Sequence, residues 1–185
     1  MSVEILTSPD NSTYTSRGST PGGSAVNDTG RLWRYDLATS PVAARYVRYR
    51  ITAGGAWLFS TEMAAFLAGE DPIAASAGTN SGQTKTYTKS ASPDSHYPDT
   101  GGTELTDGTL GDPSNGANAS WQGHLNLGAT PLDVTVDLAS AQRVGVVRSY
   151  HFHEPGGSVY RPAKIELLTS TDNVQYTSRG VTVAD

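Results

Sequence analysis

The sequence predicts an all-β protein, built as an antiparallel β-sandwich or jelly roll. Short runs that alternate apolar and polar residues recur along the 185 residues. Turn-forming residues, including 20 Gly and 10 Pro, separate these runs. Many short strands joined by frequent turns are typical of sandwiches and jelly rolls, in which each sheet buries one face.

Each predicted strand is an alternating run that ends at Gly, Pro, Asn or Asp. In chain order the runs are 3–8, 13–19, 32–38, 45–52, 58–67, 85–89, 132–138, 144–152, 164–169 and 175–183. The run 46–51 alternates bulky apolar and basic residues, which is typical of an antiparallel strand with one solvated face. Residues 61–67 are the only helix candidate, and they fit a strand equally well.

Composition narrows the classes of partner. The net charge is −5, only 17% of residues are charged, and basic residues do not cluster, which argues against nucleic acid. No apolar run reaches the roughly 20 residues of a membrane span. The N-terminus lacks the basic and apolar regions of a signal peptide, and the chain contains 0 Cys. The abundance of Thr, Ser, Gly, Asn and Tyr favours an extracellular, cell-surface or virion-surface location.

Two segments near opposite ends of the chain are near copies. Residues 3–18 read VEILTSPDNSTYTSRG and residues 165–180 read IELLTSTDNVQYTSRG, with 11 of 16 positions identical at an offset of 162. A fixed offset indicates a repeated structural unit. Because this offset nearly equals the chain length, we expect about one repeat, cut in its middle, with the cut segment present at both ends.

Read in the order 84–185 and then 19–70, the chain resembles a discoidin-like domain, also called the coagulation-factor type C domain. It is similar to the family 32 carbohydrate-binding modules, which have a galactose-binding-domain-like fold. The resemblance rests on Leu105-Thr106-Asp107-Gly108 followed by Trp121, on 134–138 (VTVDL), on 165–176, on 44–48 (ARYVR) and on Ser60-Thr61-Glu62. It implies a circular permutation, in which 1–70 is the C-terminal half of the unit, 71–83 a linker and 84–185 the N-terminal half.

The resemblance implies a non-catalytic module that binds glycans for adhesion through a shallow site of aromatic and polar side chains. The implied ligand-binding residues are Trp57, His151, His153, Glu154, Tyr160 and Arg161. The family's ligand loops also correspond to Trp121, Gln122 and His124, but we interpret Trp121 as core. One alternative is an assembly module, such as a tandem-array, surface-filament or phage decoration protein that self-associates through its duplicated ends. Another is an accessory fragment of a glycoside hydrolase.

No pattern of residues commits the chain to catalysis, and we expect it not to be an enzyme. A Ser-His-Asp triad stays open, because its members need not be neighbours in sequence. His151 and His153 share one face of a predicted strand, so with Glu154 they suggest either a transition-metal site or a polar strand end.

The resemblance also implies one structural Ca²⁺. Its ligands would be the side chains of Asp107 and Glu62 and the backbone oxygens of Leu105 and Thr109. Such a set matches the preference of Ca²⁺ for carboxylate and carbonyl oxygens. The alternative is that Asp107-Gly108 is only a tight turn and Glu62 a surface acid.

Overall fold

The computed structural model describes residues 22–69 and 79–183 and, for the backbone alone, strands 3–7 and 15–20. The all-β prediction is confirmed. The described residues form β1 (Val3–Thr7), β2 (Thr15–Thr20), β3 (Ser24–Ala25), β4 (Leu32–Thr52), β5 (Trp57–Leu67), β6 (Tyr87–Lys89), β7 (Gln122–Leu125), β8 (Leu132–Phe152), β9 (Lys164–Ser170) and β10 (Thr177–Val183). Among these residues, no helix has the length and apolarity needed to cross a membrane.

One large antiparallel sheet contains most of the strands. Its order is β10-β9-β4-β8-β5-β7, with β3 paired to β4 and β6 paired to β8. The two strands at its centre, β4 and β8, are each 21 residues long. The other strands therefore flank one long central ladder.

The central ladder joins strands that the sequence predicts as separate. The pairing of β4 with β8 runs from Leu32↔Phe152 to Ile51↔Leu132, through register shifts between Ala38 and Val42 and between Ala44 and Tyr46. The predicted strands 32–38 and 45–52 are thus one strand, as are 132–138 and 144–152. Bulges let a ladder bend without ending, which a turn-like sequence such as 39–43 does not reveal.

The two halves of β4 have different neighbours on the side away from β8. The first half of β4 lies beside β3, whereas its second half lies beside β9. Residues of both halves nevertheless share one core cluster, including Tyr35, Tyr49 and Ile51. The Tyr49 hydroxyl donates to the Ala64 carbonyl of β5 at 2.8 Å, although β4 and β5 are not paired. Both halves of β4 and strand β5 therefore contribute to one core.

Strand β5 is buried on both faces from Leu58 to Phe66. The loop before β7 covers it, because Met63 N donates to Leu105 O at 2.8 Å and Gly111 N donates to the Thr61 hydroxyl at 2.9 Å. The helix candidate 61–67 is therefore a strand. The apolar run 63–67 within it reflects burial on both sides of the strand rather than helical periodicity.

Smaller differences from the sequence-based expectations concern short segments. Strands β3 and β7 were not predicted, because two- and four-residue strands carry little alternation. Ser81 N donates to Ala65 O at 2.8 Å, and Ala65 N donates to the Asn80 side chain at 3.0 Å. The last part of the predicted linker 71–83 thus packs on β5, while residues 70–78 and 8–14 lie outside the described residues.

The duplicated segments form hairpins of the same register. β1 and β2 make a two-stranded sheet separate from the large one. Its pairs are Val3↔Thr20, Glu4↔Ser19, Leu6↔Ser16 and Thr7↔Thr15. Adding the offset of 162 to each number gives pairs that are all observed between β9 and β10. The register shift falls at the same point in both hairpins, so the copies share backbone pairing as well as sequence.

Candidate functional site

A compact loop after β8 brings the predicted ligand residues to the start of β5. Glu154 and Val159 exchange backbone hydrogen bonds of 2.9 and 3.1 Å around a 3-10 turn at Pro155–Gly157. Trp57 N then donates to Ser158 O at 3.2 Å, and Tyr160 N donates to Trp57 O at 3.4 Å. This backbone clasp places Trp57, Glu154 and Tyr160 on one surface.

A small cleft of about 120 Å³ opens at this surface. Its floor is apolar, because Phe59 and Phe152 are almost fully buried. Its rim is formed by Trp57 and Tyr97, which are half-buried, with ring centroids 5.3 Å apart and an interplanar angle of 82°. The rest of the lining consists of Glu154, Val159 and two glycines, Gly116 and Gly157. The cleft therefore offers aromatic surface and one carboxylate to solvent.

A cation accompanies that carboxylate. Arg31 Nη1 lies 2.9 Å from Glu154 Oε1, and the two side chains are 40% and 33% exposed. The Arg31 backbone is fixed by His153 N, which donates to Arg31 O at 2.7 Å. Because both side chains are partly exposed, the pair is in contact with solvent at the edge of the cleft, and a pair of this kind adds little to stability.

The second side of the loop carries a cluster of rings around a guanidinium. The Arg161 guanidinium lies 4.1 Å from the Trp33 ring centroid, and the His153 ring stands edge-on to Trp33 at 6.2 Å. Burial, and then the charge of Arg161, lower the pKa of His153, so its ring is neutral at neutral pH. Tyr160, 39% exposed, lies 6.5 Å from His153. This arrangement holds Arg161 and Tyr160 at the surface.

The structure thus brings together Trp57, His153, Glu154, Tyr160 and Arg161, but it places His151 elsewhere. The His151 ring is fully buried, with Nδ1 3.1 Å from the Ser60 hydroxyl and Nε2 3.1 Å from the Ser149 hydroxyl. Burial lowers its pKa to about 3. His151 shares a strand face with His153 but lies two residues further into the core. We therefore remove it from the ligand site, and it cannot form a surface metal site with His153 and Glu154.

Trp121 lies beneath the cleft rather than in it. Its ring is 1% exposed, packs 5.1 Å from the Phe152 ring and donates its Nε1 hydrogen to Asp112 O at 3.0 Å. This position agrees with the interpretation of Trp121 as core.

Two residues of the site were missed by the sequence analysis, Tyr97 and Arg31. Tyr97 reaches the cleft because Gly123 N donates to Tyr97 O at 3.1 Å, and Asp94 N donates to Gly123 O at 2.8 Å. Arg31 arrives through its backbone contact with His153. Both contacts join segments distant in sequence, and the only signal available for Tyr97 was an aromatic residue in a loop rich in turn formers.

The four predicted calcium ligands lie close together beside β5. Glu62 belongs to β5, and the segment 105–109, which carries the other three, is hydrogen-bonded to β5. Glu62 is 4% exposed, and its Oε1 and Oε2 accept hydrogen bonds from Asn80 Nδ2 at 3.0 Å and from Gly108 N at 3.1 Å. Burial, together with the nearby charge of Asp107, raises the pKa of Glu62 to about 7. Glu62 is therefore a buried acid and not the surface acid of the alternative interpretation.

The backbone oxygens of this group are each engaged once. Leu105 O accepts from Met63 N at 2.8 Å, and Thr109 O accepts from the Thr61 hydroxyl at 3.2 Å. A carbonyl oxygen has two lone pairs, so each can accept one further partner. The described residues contain no group of three or more His, Cys, Asp or Glu placed to hold a metal. Carboxylate and carbonyl oxygens are the donors that hard cations such as Ca²⁺ prefer.

A buried polar cluster occupies the space between β6 and β7. The Tyr87 hydroxyl donates to Asp99 Oδ1 at 2.8 Å, Lys89 forms an ion pair with Asp99, and Gln122 Nε2 donates to the Tyr87 hydroxyl at 3.4 Å. Burial, followed by a hydrogen bond with Asp99, raises the pKa of Glu104 to about 7. Gln122, with His124 beside it in β7, is interior here and does not reach the cleft.

The class of site is thus a shallow cleft with an aromatic rim and a charged pair, held by loops at one end of a folded β-sheet. No protein-family model, characterised protein or solved structure matches the chain. The chemistry of the cleft therefore has to be inferred from the residues that line it.

Proposed function

We propose that the chain is a non-catalytic carbohydrate-binding module with a role in adhesion, and that its glycan site is the cleft at Trp57. The observation that carries this proposal is the pair of half-buried rings, Trp57 and Tyr97, beside the exposed Arg31–Glu154 pair. A sugar presents an apolar C–H face that packs on an aromatic ring. It also presents hydroxyls that accept from Arg31 and donate to Glu154, and such polar groups fix the orientation of a bound ligand.

We also propose that the large sheet forms a β-sandwich of the discoidin-like, galactose-binding-domain-like class, circularly permuted. Support comes from the core cluster shared by both halves of β4 and from the hydrogen bond between Tyr49 of β4 and Ala64 of β5, two strands that do not pair.

The dimensions of the cleft favour weak binding of one sugar unit. A volume of about 120 Å³ is below the roughly 300–1,000 Å³ typical of pockets that enclose a drug-sized ligand. Adhesion through such a site depends on several copies acting together, because linked weak sites gain avidity. We propose, from the abundance of Thr, Ser, Gly, Asn and Tyr, that this adhesion takes place outside the cell, on a cell surface or on a virion surface.

Calcium is part of the same proposal. The side chains of Glu62 and Asp107 and the backbone oxygens of Leu105 and Thr109 would hold the ion, with water completing six to eight oxygens. The support is electrostatic. Asp107 raises the pKa of an already buried Glu62, and a bound cation would relieve the repulsion between the two acids.

Affinity electrophoresis through gels containing soluble polysaccharides tests the site. We expect at least one polysaccharide to retard the wild-type protein. Trp57→Ala should weaken retention about tenfold or more, which corresponds to about 1.4 kcal/mol. Arg161→Ala should also weaken it, since Arg161 fixes the loop that carries Glu154 and Tyr160.

The matched control is Tyr46→Ala, which removes an aromatic residue that does not line the cleft. Tyr46 lies in β4, about 20 Å from Thr52 at the end of that strand. Its retention should equal that of the wild type. Thermal melts must show that all variants are folded. Equal retention of wild type and Trp57→Ala by every polysaccharide would overturn the proposed site.

A further inference from the structure

The second of the two duplicated hairpins, β9–β10, is anchored in the large sheet through β9. β9 pairs with β4 from Tyr46↔Ser170 to Thr52↔Lys164. Ile165 and Leu167 of β9 are each 1% exposed and belong to the core. The hairpin is thus fixed by one edge ladder and by a short apolar row.

Side chains of the hairpin add specific contacts. The Arg48 guanidinium of β4 lies 3.7 Å from the Tyr176 ring centroid, and Arg179 Nε donates to the Thr169 hydroxyl at 2.8 Å. The turn is held by Asp172, whose Oδ1 accepts from the backbone N of Val174 and Gln175, each at 2.9 Å. The first hairpin carries the identical residues at Tyr14, Arg17, Thr7 and Asp10.

The first hairpin also keeps the apolar row. By the offset of 162, the positions of Ile165, Leu167 and Leu168 correspond to Val3, Ile5 and Leu6. The position of Tyr14 matters in addition, because its counterpart Tyr176 donates to Asn173 of its own turn and also packs against the guanidinium of Arg48 in β4. A tyrosine retained at this position suits a hairpin that docks against β4.

In the structure, β1 and β2 pair only with each other among the described strands. Both strands lie close to β10 without pairing with it, and a two-stranded hairpin that pairs with no further strand is at best marginally stable in water. Its connection to the sheet is short, because three residues separate Thr20 from Ser24 of β3, which pairs with Arg34 of β4. The stacking of Arg161 on Trp33 brings the chain just before β9 close to this same end of β4.

We propose that the sheet position held by β9–β10 also accepts the β1–β2 hairpin. The hairpin enters in the register of β9–β10, with β1 paired to the second half of β4, and it displaces the resident copy. Within one chain this exchanges one hairpin for the other. Between chains the exchange links copies head to tail. Such a chain of copies would supply the multiple sites that weak adhesion requires, but the exchange itself does not depend on sugar binding.

The test uses the full chain and a charge at a buried position. Leu167→Asp should disfavour the resident β9, because an unpaired carboxylate is costly to bury. If β1–β2 takes its place, Leu167→Asp will still unfold cooperatively in urea and keep its near-ultraviolet circular dichroism. Ile5→Asp alone should behave as wild type. The double variant Ile5→Asp/Leu167→Asp should lose the cooperative transition, since neither hairpin then has an intact apolar row.

A disulfide gives a second, independent readout. Arg50 pairs with Glu166, whose counterpart in the first hairpin is Glu4. The chain contains 0 Cys, so Glu4→Cys with Arg50→Cys introduces the only thiols, and peptide mass mapping distinguishes a bond between positions 4 and 50 from bonds between like positions of two copies. In the Leu167→Asp background this disulfide should form on oxidation, and adding Ile5→Asp should abolish it. A non-reducing gel then shows whether the hairpin came from the same chain or from a second copy.

The two readouts also define failure. Loss of the cooperative transition in Leu167→Asp, to the same extent as in the double variant, would overturn the proposal. So would a folded Leu167→Asp protein in which the Glu4→Cys/Arg50→Cys disulfide does not form.

Discussion

Replacing Glu62 by Gln tests whether Glu62 acts as a buried acid without a cation or as a calcium ligand, because the two roles predict opposite changes in stability. Without a cation, the folded state raises the pKa of Glu62 from 4.5 to about 7. The folded protein then holds this proton more tightly than the unfolded chain does. The stabilising contribution is present below pH 4.5 and is lost as the pH rises to about 7.

The magnitude follows from the shift in pKa. At about 1.4 kcal/mol per unit, a change from 4.5 to about 7 amounts to about 3 kcal/mol. Glu62 is 4% exposed, so solvent screening reduces this value little. In the presence of a chelator, the free energy of unfolding of wild type should therefore fall relative to that of Glu62→Gln by about 3 kcal/mol between pH 4.5 and 7.

Calcium should reverse this comparison. A cation bound beside Glu62 and Asp107 favours the ionised carboxylate, and it stabilises the folded state by mass action. At pH 8, calcium should raise the stability of wild type, while Glu62→Gln and Asp107→Ala should gain nothing.

The assay is urea unfolding of wild type, Glu62→Gln and Asp107→Ala between pH 4.5 and 8, with chelator or with calcium. Parallel pH profiles of wild type and Glu62→Gln in chelator would refute the electrostatic argument. A wild-type stability indifferent to calcium at pH 8 would refute the calcium site alone.

Three further predictions concern the core. Trp121→Ala should cost about 3–5 kcal/mol in urea unfolding, because it removes a buried ring packed on Phe152; a variant as stable as wild type would mean that the ring is not core. Burial lowers the pKa of His151 to about 3, so its contribution to stability is lost as the pH falls from 6.5 towards 3; His151→Asn should flatten that part of the profile, and an unchanged slope would contradict this. Tyr49→Phe should cost about 1 kcal/mol, measured by urea unfolding, through the lost bond to Ala64, and a neutral result would argue against that bond.

Local sequence predicted the strands well but not how they continue. The alternation of apolar and polar residues over 32–38 and over 45–52 predicts a strand in each segment, but it does not depend on how the two segments are connected. Whether residues 39–43 turn or bulge depends on pairing with β8 about a hundred residues away. The same limit applies to β7, whose four residues are a strand only because Ser60 and its neighbours pair with them.

The candidate site also combines residues that local sequence could group with residues that it could not. His153, Glu154, Tyr160 and Arg161 lie on one short loop, so proximity in sequence was enough to group them. His151 lies on the same strand face as His153, but depth along the strand decides burial, and that depth is set by Ser60 and other residues of distant segments. Tyr97 and Arg31 reach the site through backbone contacts between remote segments, which a single sequence does not encode locally.

The central claim is that the cleft at Trp57 binds glycans, and the most direct measurement is a glycan array probed in parallel with wild type, Trp57→Ala and Tyr46→Ala. We predict that wild type and Tyr46→Ala bind the same small set of glycans and that Trp57→Ala, folded to the same extent, loses that signal. Binding of no glycan by the wild type, or an identical pattern for Trp57→Ala, would contradict the claim.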